Sequence, residues 1–468
     1  MSKAGRRIAC RFLACCVALL CWASTDSVPV FAAQTDLGGG LSLTHESNVT
    51  KDSTVPGCAN PPCPEWTEQL FAGLAYEERS PELTARAQAQ VERRHFVRNV
   101  FPDDTGFFFD GWGVWSISPR FFTWALQDIF RELNTSPDAS ATPATLDRTN
   151  TLSTGPEFRF RVNPNNTPVL GARYGQFRNL GNQSGSQAQG DSSRYTVYGQ
   201  WLHQLSAAST LSPNAVATRI HFDDPTAQYT NVSREDFYFR YDFAQPDTRQ
   251  TLDLGRTRVV QYGGQEYSGR LVRYMGQWPR TLQSAFRVLA VDQISDTYSD
   301  TILDQDFSIS TLPLIREEGV AVPLGVSNFA VTDIYHSQRG EFGYWSQGEL
   351  VGYSIQGNLR RVDYATLDQD YDEKRGRLSL FWLVSIQVQA YAYTQYLRRD
   401  FPSRNQQDTG REMAVGMVYK LGRTLSFTLE GGRTERQSSA PNLGFVDNRM
   451  VLVLGYSTGS LYLPRSRR

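Results

Sequence analysis

Strict alternation of apolar and polar residues in two adjoining arms constrains the fold of this chain most. Residues 412–433 read EMAVGMVYKLGRTLSFTLEGGR. Successive side chains of a β-strand point to opposite faces, so each arm has one apolar face and one mixed or polar face. Gly422 and Arg423, between the arms, fit a tight reversal. Because a hairpin this short is unstable alone, the chain must supply neighbours of the same kind. The apolar face comprises Met413, Val415, Met417, Tyr419, Leu421, Leu425, Phe427 and Leu429.

Similar amphipathic stretches recur along the whole chain, as in residues 83–92, 236–243, 350–362 and 386–397. Nine short turns alternate with ten longer polar loops, which together would join twenty strands. Strands of about 10 residues, an even strand number and alternating connection lengths are typical of a transmembrane antiparallel up-and-down β-barrel. The sequence therefore predicts an all-β chain with about 20 strands, within a range of 16–20.

Two segments depart from the alternation. At residues 256–258 it breaks, which indicates either a β-bulge or the end of a strand outside the membrane. Residues 295–331 form one long irregular segment, which is either an extended outer loop or a loop folded into the lumen.

A soluble all-β protein, such as a propeller, also has alternating strands. The chain shows no blade-like repeat. The polar faces carry rows of Arg, Glu and Gln, which a packed interior would not tolerate unpaired but a water-filled lumen would. These rows favour the barrel.

The N-terminus has the features of a secretory signal peptide. Four basic residues precede the apolar run 12–23, which is too short to span a bilayer comfortably. Val30 and Ala32, three residues and one residue before the cut, suit cleavage before Ala33. We therefore expect a signal peptide at 1–32, a barrel at 33–456 and a short tail at 457–468. The expected location is the bacterial outer membrane. A lipoprotein reading is disfavoured because no lipobox precedes the signal cysteines.

Charge and cysteine usage limit the other possibilities. The chain has 47 basic and 48 acidic residues, a balance that does not suggest a nucleic-acid partner. With five histidines and no metal-ligand spacing or nucleotide-binding fingerprint, neither a metal nor a cofactor is expected. Cys58 and Cys63, the only cysteines after the signal, are predicted to form a small loop disulfide; two free thiols are the alternative.

Several hairpin segments resemble a family of β-barrel porins found beside exopolysaccharide and exosortase (PEP-CTERM) systems. The segments are THESNVT (44–50), NTLSTGPEFRFR (150–161), SQRGEFGYW (337–345), YKLGRTLSFTLEGG (419–432) and VDNRMVLVLGYS (446–457). The resemblance spans most of the mature chain. It implies an outer-membrane barrel that helps to export or anchor a surface polysaccharide, with outer-membrane lipid and periplasmic export components as partners.

One short motif suggests an enzyme instead. His45-Glu46-Ser47-Asn48 resembles the His-x-Ser-Asn motif of outer-membrane phospholipase A and lipid A deacylase, in which Ser is the nucleophile and His the base. The match covers four residues, and Val49 and Thr50 stand where Gly-Arg would follow. A polar cluster near lipid headgroups is the alternative. The main prediction is therefore a barrel that is not an enzyme.

Charged residues on the predicted inward faces are the candidate functional residues. With the inward tyrosines Tyr238, Tyr391 and Tyr393 they suit passage of acidic or neutral sugars. The alternative is a closed structural barrel, whose lumen Arg–carboxylate pairs hold shut. The candidates are Arg86, Arg159, Arg161, Arg173, Arg240, Arg287, Arg360, Arg377, Glu92, Glu157, Asp236 and Asp242.

Overall fold

A computed structural model gives the architecture. It describes residues 33–51, 63–134, 140, 142–181, 191–223, 231–245, 248–261, 266–281, 283–302, 333–365 and 367–459. Twenty antiparallel strands form one sheet, and β1 pairs with both β2 and β20, so the sheet closes into a barrel. The predicted fold class and strand number are confirmed.

The strands contain 12 to 16 residues each. They exceed the 9–11 residues that cross a bilayer, so their ends extend beyond the hydrocarbon. Their bounds are β1 Gln34–Glu46, β2 Glu65–Arg79, β3 Leu83–Phe96, β4 Asp104–Ser118, β5 Phe122–Asn134, β6 Leu146–Arg159, β7 Asn166–Asn179, β8 Ser192–Ser206, β9 Ser209–Phe222, β10 Asn231–Gln245, β11 Thr248–Gln261, β12 Glu266–Thr281, β13 Ser284–Ser295, β14 Tyr335–Gln347, β15 Val351–Tyr364, β16 Tyr371–Leu383, β17 Val388–Phe401, β18 Gln406–Leu421, β19 Leu425–Ser438 and β20 Phe445–Ser457. A helical turn, α1, covers residues 297–302, and a 3-10 turn covers Pro402–Arg404.

The two ends of the barrel differ in their connections. The connections after even-numbered strands contain two to six residues, and those after odd-numbered strands contain four to 39, so one end carries mostly short turns and the other the longer loops. β1 begins and β20 ends at the short-turn end. In outer-membrane barrels short turns face the periplasm and long loops face outward. We call the long-loop end the outer end.

The structure of β11 differs from one of the two alternatives predicted for residues 256–258. Its pairing with β10 and β12 runs without a register shift through Arg256 and Arg258, so the predicted bulge is wrong. The register shifts lie elsewhere, next to three short turns: between Trp115 and Ser118, Gln204 and Ser206, and Pro279 and Thr281. The alternation breaks at 256–258 because both arginines face outward.

The outward face carries an apolar belt. In the β18–β19 hairpin Met413 is 52% exposed and Val415 64% exposed, whereas Ala414 and Val418 on the other face are buried. The reversal lies at Gly422, where φ is +85°, a conformation that favours glycine. Exposed apolar side chains in such a continuous row are what a barrel wall in lipid requires. The predicted faces of this hairpin are confirmed.

Aromatic side chains border the belt near the short turns, as the girdles of membrane barrels do. Among the described residues, no helix is long and apolar enough to cross a membrane. The outward aromatic residues near the short turns include Trp115, Trp124, Trp201, Tyr241, Trp382 and Tyr456, all of which are exposed.

Candidate functional site: the barrel lumen

The inward face is lined by charged residues that pair across neighbouring strands. On β10, β11 and β12, Arg240, Asp253 and Arg273 stand directly opposite one another. The Arg240 Nε–Asp253 Oδ1 distance is 2.7 Å, and the Arg273 Nε–Asp253 Oδ2 distance is 3.0 Å. Tyr238 lies beside both guanidinium groups, 5.7 and 5.0 Å from its ring centroid. Asp253 is only 1% exposed, so this ladder is an ordered part of the wall.

A second ladder lines β16 and β17. Glu373 accepts from Arg399 Nε at 2.6 Å and lies 3.0 Å from Arg375 Nη2. The Arg377 guanidinium stacks on the Tyr393 ring at 4.4 Å. A planar cation on an aromatic face is an attractive contact, and it presents a flat surface to the lumen.

A third cluster joins β17, β18, β19 and β20. Arg449 Nη2 lies 2.9 Å from Glu430 Oε1 and 3.7 Å from Glu412. The Tyr391 and Tyr393 hydroxyls donate to Glu430 and Glu412, each at 2.7 Å. These carboxylates thus have both a cation and a phenol as partners, which compensates for their partial loss of hydration.

Most predicted lumen residues lie on inward strand positions. Arg161 is different, because β6 ends at Arg159 and Arg161 lies in the turn that follows. Arg86 and Arg159 are exposed near the short-turn end, whereas Arg360 and Arg377 are buried. The inward positions hold Arg86, Glu92, Glu157, Arg159, Arg173, Asp236, Arg240, Asp242, Arg287, Arg360 and Arg377.

The structure also assigns partners to the predicted acids. Asp236 accepts from Arg234 at 3.0 and 3.1 Å and from Thr257 at 2.6 Å. Asp242 accepts from Thr251 Oγ1 at 2.7 Å.

Near the short turns, Glu157 pairs with Arg159 at 2.8 Å and accepts from the Tyr198 hydroxyl at 2.7 Å. Arg173 donates to the Gly155 and Pro156 carbonyls at 2.9 Å. These bonds hold the side chains against the wall.

The residues 296–302, which we call the lumen segment, leave β13 and enter the barrel. Asp296 accepts from Arg194 on β8 at 2.9 and 3.3 Å. Asp296 also caps α1, because it accepts from the Ser299 N–H at 3.1 Å and the Ser299 hydroxyl at 2.8 Å. The Arg194 guanidinium lies 3.7 Å from the Tyr298 ring centroid. This region of the long irregular segment is therefore folded into the lumen, and residues 303–332 lie outside the described part.

Further contacts carry the lumen segment across the barrel. Asp300 Oδ2 accepts from Arg360 on β15 at 2.6 Å and from the Tyr335 hydroxyl at 2.9 Å. Thr301 Oγ1 accepts from Arg131 on β5 at 2.9 Å. Because β5 lies eight strands from β13 in a ring of 20, the segment links nearly opposite walls near the outer end. The lumen segment therefore narrows the outer opening of the barrel.

Tyr298 is seated against the facing wall. It packs with Leu133 of β5 and Phe177 of β7. Gly175 makes room for it, since a Cβ at this position would lie 2.5 Å from the Tyr298 hydroxyl oxygen.

Asp296 is strongly stabilised as a carboxylate. Burial would raise its pKa, but the Arg194 charge and hydrogen bond, Arg234 and Ser299 outweigh burial and lower the pKa to about 2. Periodicity could not locate this segment, because the six described residues of α1 are too few to show an amphipathic repeat. The available signal was the Asp296-x-x-Ser299 pattern of a helix N-terminus.

The His45/Ser47 motif has structural partners in this fold. The His45 ring packs on Trp66 with centroids 4.7 Å apart. The Ser47 hydroxyl donates to Asp447 at 3.3 Å and accepts from the Asn448 N–H at 2.7 Å. Within the described residues, His45 and Ser47 form no hydrogen bond with each other. Ser47 therefore links the end of β1 to β20, and His45 packs against β2.

The remaining predicted features are only partly described. Cys63 is buried and disulfide-bonded, whereas Cys58 lies outside the described residues. The proposed signal peptide also lies outside them. In the part of the chain that the structure covers, no group of three or more His, Cys, Asp or Glu residues could hold a metal ion.

Comparisons with known proteins give likeness in fold only. No family model and no curated protein matches the chain. The siderophore receptor PirA from Pseudomonas aeruginosa aligns with 92% of this chain and 81% of its own, at 10% identity and TM-score 0.42. OccAB4 from Acinetobacter baumannii aligns over 91% and 98%, at 8% identity and TM-score 0.37. OccK3 (OpdO) from Pseudomonas aeruginosa aligns over 92% and 96%, at 11% identity and TM-score 0.35.

Proposed function

We propose that this chain is an outer-membrane conduit with a porin-like lumen and a constricted outer mouth. The inward face carries the argument. It is built from charged and hydroxyl side chains in ordered ladders, whereas the outward face is apolar. A membrane barrel with this distribution encloses water. Barrels of 16–18 strands leave aqueous channels and those of 22 strands hold plugged lumens, so 20 strands suit a channel narrowed by a short segment.

The chemistry of the wall suggests the class of solute. Arginine and tyrosine side chains are stacked in pairs on several strands, as in Arg273/Tyr238 and Arg377/Tyr393. Aromatic faces suit the apolar faces of sugar rings, and guanidinium groups suit carboxylates or phosphates on them. The resemblance of the hairpin segments to the exopolysaccharide-associated porin family points the same way. We therefore propose a role in the export or assembly of a surface polysaccharide, with periplasmic export components as partners.

A closed structural barrel is the second candidate. The observation in its favour is the lumen segment itself, whose bonds to Arg194, Arg360 and Arg131 reach nearly opposite walls. In this alternative the ion pairs stabilise the barrel and nothing passes.

Single-channel recording in planar bilayers separates the two candidates. The full chain should give steady conductance that an acidic oligosaccharide blocks more strongly than a neutral one of equal size. Buffer with the same detergent is the blank. Steady conductance with no effect of either sugar would contradict the proposed solute class, and silence would leave the structural barrel.

A further inference from the structure

The outward face carries a level of cations directly above the apolar belt. On β11, Arg256 lies two residues closer to the outer end than Leu254, which is 49% exposed. On β16, Lys374 lies closer to the outer end than Leu378, which is 41% exposed. The level continues on β18 and β19 through Arg411 and Arg433, beside Met413. This is the depth at which lipid headgroups meet the wall.

Two pairs of these cations stand directly opposite each other across neighbouring strands. Arg256 on β11 faces Arg270 on β12, and Lys374 on β16 faces Arg398 on β17. We call them the outward cation pairs. Directly opposed side chains have Cβ atoms about 4.5–5.5 Å apart, and like charges at that distance destabilise a sheet. Because two such pairs occur at one level, we expect an anion to lie between the two cations of each pair.

The protein neutralises only one member of each pair. Arg270 lies 2.8 Å from Asp292, and Arg398 lies 3.1 Å from Asp400. Among the described residues, Arg256 and Lys374 have no ion-pair partner. Asp400 lies two residues closer to the outer end than Arg398. Asp372 has the same position relative to Lys374. Each pair therefore retains one positive charge next to the belt. At the next level toward the outer end, Asp372 and Asp400 follow the Lys374/Arg398 pair, whereas Arg258 and Ser268 follow the Arg256/Arg270 pair.

From this geometry we infer that the outward cation pairs bind the phosphate groups of a phosphorylated glycolipid in the outer leaflet, of the lipid A type. Phosphate accepts charge-assisted hydrogen bonds from two cations at once, which removes the repulsion within each pair. The acyl chains of the same lipid would cover the belt below, where Leu254 and Leu378 are exposed. The inference rests on the membrane location in the proposed function, but it does not require an open lumen.

Binding of defined lipids to the full chain in detergent, counted by native mass spectrometry, tests this inference. The probes are diphosphoryl lipid A, monophosphoryl lipid A and inorganic phosphate. The test variant is Arg256→Gln/Lys374→Gln, which removes the partnerless member of each pair and leaves both ion pairs intact. The control is Arg280→Gln/Arg423→Gln, which removes two exposed cations at the short-turn end.

The wild type should prefer diphosphoryl over monophosphoryl lipid A and retain it in excess inorganic phosphate. Each cation at an anionic surface is worth roughly a fivefold change in affinity. Because the two pairs lie five strands apart and each loses one cation, each pair should bind its lipid about fivefold more weakly in the test variant. The control and the conservative variant Arg256→Lys/Lys374→Arg should bind like the wild type.

Equal binding by the test variant, equal loss in the control, or complete displacement by inorganic phosphate would overturn the inference. Displacement would identify free phosphate, rather than a lipid headgroup, as the ligand. A barrel that conducts but shows no preference for diphosphoryl lipid A contradicts this inference alone. A barrel that prefers diphosphoryl lipid A but never conducts contradicts the conduit alone.

Discussion

Replacing Asp296 by Asn should loosen the lumen segment and increase the conductance of the barrel. The amide can still accept the Ser299 N–H bond that caps α1, but it cannot neutralise Arg194. The Arg194 side chain is 5% exposed and would remain as a buried cation without its carboxylate. The substitution therefore tests the ion pair rather than the helix cap.

Two arguments give the magnitude. Removing one partner of a buried ion pair costs about 3–5 kcal/mol, and water in the lumen would bring this toward the lower end. The pKa of Asp296 falls from 3.8 to about 2 in the folded segment. That difference corresponds to about 2–3 kcal/mol. Because the pKa is lowered by folding, this stabilisation is fully present above about pH 4 and is lost as the pH falls toward 2.

The measurement is single-channel conductance of the full chain at neutral pH and during acidification. Asp296→Asn should conduct more than the wild type at neutral pH, and it should lose part of the conductance rise that acid causes in the wild type. Asp363→Asn is the matched control, since it removes an equal charge beside Arg361 on the outward face. Identical conductance of wild type and Asp296→Asn at every pH would refute the reasoning, as would an equal effect of the control.

Two further predictions concern the wall and the enzyme alternative. Val415→Arg places a charge in the apolar belt and should reduce the free energy of unfolding in phospholipid vesicles by about 2–4 kcal/mol, whereas Thr428→Arg on the inward face should be tolerated. Equal losses would contradict the assigned faces. The purified wild type should release no fatty acid from phospholipid micelles, and Ser47→Ala should not differ, because Ser47 is bonded to Asp447 and Asn448. Hydrolysis that Ser47→Ala abolishes would restore the lipid-esterase hypothesis.

The sequence was sufficient for the barrel because alternation is enforced wherever one face meets lipid. A one-residue slip would turn Val415 inward and Glu412 outward, so the pattern is strict there. Beyond the belt both faces meet water, and the pattern no longer distinguishes them. For this reason the alternation breaks at residues 256–258 within the predicted strand 252–262, although the pairing of β11 continues to Gln261. The strands are longer than predicted for the same reason.

The lumen was only half predictable. Alternation places Arg240 and Asp236 on the inward face, but it cannot show which partner each one meets, because pairing depends on register between strands. Asp253 lies opposite Arg240 only in the observed register. The contact between Asp296 and Arg194 spans 102 positions in sequence and depends on the course of a connection with no periodicity. The His45/Ser47 motif, in contrast, can be recognised in the sequence, but the sequence does not show which residues His45 and Ser47 contact in the fold.

The lumen segment also has a mechanical consequence. A closed sheet resists stretching around its circumference, because that would break ladders of hydrogen bonds, but it ovalises readily, because flattening only changes the angles between strands. In the described part of the barrel, the lumen segment connects β13 to β5, β8 and β15, and it opposes that flattening near the outer end. The outer mouth should therefore keep its shape under lateral pressure from the bilayer while the short-turn end deforms. Thickness or tension of the membrane would then alter the two openings of the barrel unequally.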